Sequence, residues 1–64
     1  MRRFKYTEPG DNGEVLHIVK TEAEILWEYW FYWSEQMRQL GKDSEINIQT
    51  CIRDWVVNNW ADEL

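Results

Sequence analysis

The chain has 64 residues, a net charge of −5, ten aromatic residues, one Cys and one His. That length bounds it to one domain, of a size that buries only about 60% of the surface its unfolded chain exposes and needs a staple or an unusually rich core. A lone Cys51 excludes an intrachain disulfide, and Cys51 with only His17 beside it gives no zinc site.

Residues 2–8 alternate, with Phe4 and Tyr6 on one face and Arg3, Lys5 and Thr7 on the other, the period of a half-buried strand. Pro9-Gly10-Asp11-Asn12-Gly13 follows, and Asn-Gly tolerates positive φ at both positions. Glu14–Lys20 is rich in β-branched residues, with Leu16 and Ile18 on one face and Val15, His17 and Val19 on the other, so both faces are expected to be partly covered. The reading is a hairpin over about 2–20.

Thr21-Glu22-Ala23-Glu24 is a capping box opening a helix over about 22–40, with Gly41 as its left-handed stop. Residues 27–33 hold six aromatics in seven positions. At about 100° per residue, Leu26, Trp30, Trp33, Met37 and Leu40 form the expected core stripe. Ile25, Tyr29 and Tyr32 flank it on one side and Trp27 on the other; Phe31 lies beyond, beside Glu24, Glu28 and Glu35. Lys42–Glu45 is a polar connector. A second helix over about 48–60 starts at Asn47 or Thr50, with Ile48, Ile52, Trp55 and Val56 at helical spacing and Cys51 on its inner side. Asn59 falls on the apolar stripe and needs a hydrogen bond there; it is expected to fix helix register or to bond the hairpin backbone. Residues 61–64 are expected to fray. The fold class is α+β, a hairpin followed by two helices (ββαα), helix-dominated. A two-stranded hairpin is not stable alone, so a homodimer joining two hairpins into a four-stranded sheet is expected.

Function is read by exclusion and by surface. Residues 1–20 carry +1 and residues 21–64 carry −6, which argues against a phosphate-backbone interface and favours a basic partner or plain solubility. The aromatic run suggests base stacking, but lacks the positive charge that goes with it. No metal spacing, phosphate loop or nucleophile elbow is present. A Cys51–His17 dyad lacks a third group, and Glu24, Glu28 and Glu35 read as a solvated face. No cofactor and no catalytic residue are assigned, and the chain reads as a non-enzyme. A single domain cannot cover a helix all round, so Trp27 and Phe31, bordered by Glu24, Glu28 and Glu35, are the candidate partner-binding residues. No stretch approaches the roughly 20 apolar residues of a membrane span, and the free Cys fits a reducing, cytoplasmic setting.

Glu28-Tyr29-Trp30-Phe31-Tyr32-Trp33 with Met37 and Gly41-Lys42, then Cys51-Ile52-Arg53-Asp54-Trp55-Val56-Val57 and Asn59-Trp60-Ala61, resembles a family of very small uncharacterised proteins of tailed bacteriophages; Phe4–Asp11 is similar to theirs as well. The family has no activity to carry over, so no residue role transfers. What the resemblance implies is context: a small acidic viral protein that binds and inhibits a host protein, in the cytoplasm of an infected bacterium. The alternatives are an aromatic-lined small-molecule or nucleotide sponge at a dimer interface, and a structural homo-oligomer.

Overall fold

A computed structural model describes residues 1–64. The chain runs β1 (Arg3–Pro9), β2 (Val15–Thr21), α1 (Glu22–Gln39), α2 (Ile48–Asn59) and β3 (Asp62–Glu63). Short 3₁₀ turns sit at Asp11–Gly13 and Asp43–Glu45. The three strands form one antiparallel sheet in the order β2-β1-β3. The architecture is therefore α+β, and the ββαα order expected from the sequence gains a closing strand.

Each boundary has a local cause. Asn12 and Gly13 both take positive φ (58° and 78°), which lets the chain reverse between β1 and β2. The register runs from Arg3 opposite Thr21 to Pro9 opposite Val15. In α1 the Thr21 hydroxyl accepts from the Glu24 amide while the Thr21 amide donates to the Glu24 carboxylate, so two otherwise orphaned N–H groups are satisfied. Gly41, at φ 72°, ends α1, with Gly41 N–H donating to Arg38 C=O and Lys42 N–H to Met37 C=O, the paired bonds of a Schellman stop. Asn47 caps α2, its side-chain oxygen accepting from the Thr50 amide at 2.9 Å.

The C-terminus corrects the sequence reading. Residues 61–64 do not fray. Trp60, at φ 53°, stops α2 one residue early and turns the chain back, with the Ala61 amide donating to Val56 C=O. Ala61 is then buried beside Phe4, Tyr6, Ile25, Ile52 and Trp55. Asp62 and Glu63 pair with Lys5 and Phe4, Leu64 N–H donates to Arg3 C=O at 2.9 Å, and Arg2 grips the Glu63 carboxylate through two 3.0 Å bonds. The sheet thus stands as three strands within one chain, and the expected four-stranded sheet built from two hairpins does not apply.

The core has two parts. Under the sheet, Trp55 meets Tyr6 edge-on at 5.1 Å between ring centres and Phe4 at 6.3 Å, with Ile25 and Ile52 filling beside them. Between the helices, Trp33, Met37 and Cys51 form the second cluster, and Trp33 Nε1–H donates to Asp54 at 2.8 Å. No buried side-chain polar atom lacks a partner. Asn59 bonds within its own helix, donating to Trp55 C=O, rather than to the hairpin.

The buried line of α1 differs from the expected stripe. It is marked by Ile25, Trp33, Ser34 and Met37, with Tyr29 half-buried on the same line, Leu26 and Trp30 half-buried beside it and Leu40 exposed. Steps of four advance about 40° each around a helix, so this line drifts from the sheet at the N-terminal end toward α2 at the C-terminal end. In α2, Ile48 is exposed, while Cys51, Ile52 and Trp55 are buried. In β2, Val15, His17 and Val19 leave one face exposed, while on the other Leu16 is exposed and Ile18 is half-buried against the core.

A candidate partner-binding face on α1

The drift of the buried line leaves the opposite side of the N-terminal half of α1 without a cover. Ala23, Leu26, Trp27, Trp30 and Phe31 line an open, wholly apolar groove of about 300 Å³ there. Trp27 is 88% and Phe31 85% exposed, the most solvent-open aromatic side chains of this helix. Trp30 and Leu26 form the half-buried floor, supported from behind by the Trp33–Met37–Cys51 cluster, and Trp30 lies 5.7 Å from Trp33 between ring centres. The groove therefore stands on a packed base, with two exposed aromatics beside it.

The acidic border is uneven. Glu24 is spent on the capping box, and the Thr21 amide and hydroxyl hold its carboxyl below the ordinary value. Glu28 pairs with Lys20 of β2, and the bond to Glu28 pushes the Lys20 ammonium up. Glu35 is exposed and forms no ion pair or side-chain hydrogen bond. So the structure places Trp27, Phe31, Glu24, Glu28 and Glu35 on one side of the helix, with Glu35 the carboxylate wholly free for a partner. Sequence reasoning missed Ala23 as part of the groove; its small side chain opens the floor beside Leu26 and Trp27, a signal visible only once the buried line is known.

The remaining chemical groups are dispersed. Cys51 is fully buried between the helices, and desolvation, with Asp54 nearby, pushes its thiol up to about 11. It is thus a protonated small hydrophobe at neutral pH. His17 lies exposed on β2, in another layer, so the two do not form a dyad. No group of three or more His, Cys, Asp or Glu side chains gathers to hold a metal. A second, polar hollow of about 530 Å³ lies along α2, lined by Asn47, Gln49, Thr50, Arg53 and Arg2 among others, but Arg2 is already committed to Glu63. No helix is long and apolar enough to cross a membrane.

Comparison with protein-family models, with curated proteins and with solved structures gave no match, so the groove is read from its own geometry.

Proposed function

We propose that the chain is a non-enzymatic binding protein whose α1 groove seats an apolar segment of a partner protein carrying basic residues. The observation that carries this reading is the pair Trp27 and Phe31. Two large aromatics stand almost fully in water beside an apolar floor, where folding gains little from them. Aromatic side chains of this kind dominate binding when a partner desolvates them. The charge of −5 and the free Glu35 carboxylate favour a basic partner, and like charges on a second copy of the same face would repel it. The resemblance to small tailed-phage proteins supports a bacterial host protein as target and inhibition as the outcome.

The test uses the tagged chain and bacterial lysate at moderate salt. One host protein captured at stoichiometric level, lost with the Trp27→Ser/Phe31→Ser pair and weakened by Glu35→Lys, supports the reading. Capture untouched by those substitutions moves the site elsewhere. A small molecule carried along with no protein would point instead to the aromatic floor as a ligand sponge.

A further inference from the structure

The sheet has one long open edge, and its free groups are arranged with two-fold symmetry. β1 is the central strand, so β2 is paired on one side only. Gly10 N–H donates to Glu14 C=O at 2.8 Å, and Glu22 N–H donates to Arg2 C=O at 3.3 Å, framing the β1–β2 ladder at both ends. Antiparallel partners alternate between bonded and non-bonded pairs. The bonded pairs between those ends are therefore Phe4–Lys20, Tyr6–Ile18 and Glu8–Leu16. The odd-numbered residues of β2 turn their N–H and C=O outward. Thr21 is removed from that row, because its N–H already donates to the Glu24 carboxylate. What remains is Val15, His17 and Val19, evenly spaced about His17.

Edge strands are ordinarily blunted by proline, a bulge or a covering element. The seven residues of β2 contain no proline, pair with β1 in unbroken register, and leave Val15, Leu16 and Val19 between 45% and 61% exposed. A second copy laid antiparallel with its two-fold axis at His17 sets Val15 opposite Val19, His17 opposite His17, Leu16 opposite Ile18 and Glu14 opposite Lys20. Every outward N–H and C=O of the row then finds a partner. The apolar residues meet apolar residues on both faces, and Glu14 at each end falls opposite Lys20, whose ammonium already bonds Glu28 within its own chain. A shift by one residue would set the outward groups against even-numbered residues whose own N–H and C=O are turned to β1, and break the match.

We propose that the β2 edge is a homodimer interface, joining two three-stranded sheets into one continuous six-stranded antiparallel sheet. A two-fold axis normal to the sheet keeps both helical layers on the same face. The interface uses none of the groove residues and stands independently of the groove's role.

Light scattering on the full chain over a concentration series is expected to give twice the 7.9 kDa chain mass. His17→Pro removes the central outward N–H without removing a bond to β1, and proline is tolerated on an edge strand. It is expected to yield a monomer with unchanged helical circular dichroism. Val19→Lys sets a charge opposite Val15 at both ends of the row and is expected to weaken the dimer about tenfold. Trp27→Ser/Phe31→Ser is expected to remain dimeric. Amide exchange on the unaltered chain provides a readout even if His17→Pro fails to fold: the His17 and Val19 amides slow as the dimer fills. A monomer at every concentration, a dimer that the groove pair dissolves, or a dimer whose His17 and Val19 amides exchange freely would overturn the proposal.

Discussion

Trp33 and Trp27 lie less than two turns apart on the same helix and occupy opposite physical worlds. Trp33 is 3% exposed, packed against Met37 and Cys51, with its indole N–H held by Asp54. Trp27 is 88% exposed, on the rim of an apolar groove. One of them is explained by folding. The other is not, and that contrast separates the residues that hold this small domain together from those available for a partner.

The comparison is sharpened first where the largest loss is expected. Trp55→Ala removes the ring that Phe4 and Tyr6 both meet edge-on, and should cost about 3–5 kcal/mol. In a 64-residue domain that is most of the total stability, so the variant should melt near or below room temperature by circular dichroism. Trp33→Phe keeps most of the volume but leaves Asp54 without its donor, and should cost about 1–3 kcal/mol in urea unfolding. Trp60→Gly should go the other way. Its left-handed φ costs a non-glycine residue about 1–2 kcal/mol, and its exposed side chain returns little packing, so glycine should stabilise by about 1 kcal/mol in the same assay. Trp27→Ser/Phe31→Ser should change stability least, within about 0.5 kcal/mol, as surface substitutions do.

Acid should expose the polar ties of the same frame. Thr21 holds the Glu24 carboxyl, and Arg2 the Glu63 carboxyl, below the ordinary value of 4.5. A carboxyl lowered on folding contributes stability that is complete above its unfolded value and is lost as pH falls through its folded one. Stability should therefore drop as the solution is taken below about pH 4.5, and Glu24→Gln/Glu63→Gln should flatten that acid limb in a pH series of urea melts.

What could be read from the sequence was local. The capping box at Thr21–Glu24, the stop at Gly41 and the Asn12-Gly13 reversal each rest on a few adjacent residues, and each is where the sequence put it, while of the two caps open to the second helix, Asn47 and Thr50, the structure uses Asn47. β3 was hidden because Asp62-Glu63 has no strand pattern; it exists through the Trp60 reversal, the burial of Ala61 and the grip of Arg2 on Glu63, which are tertiary events. The stripe on α1 holds at Trp33 and Met37 but not at Leu40, for a similar reason. A wheel with one fixed face favours Leu26 and Leu40, whereas the helix faces the sheet at Ile25 and α2 at Met37, so its buried side rotates along its length. Trp27 and Phe31 were legible as uncovered because they lie outside either version of that face. Their floor was not, since it depends on how far the face rotates.

The most direct test of the division between the two sides of α1 is to measure urea unfolding and capture of the host partner on the same preparation of Trp27→Ser/Phe31→Ser. The account predicts an unfolding curve that overlays the unaltered chain and a capture that is lost. Capture retained at full strength, or a midpoint lowered as far as by Trp33→Phe, would contradict it.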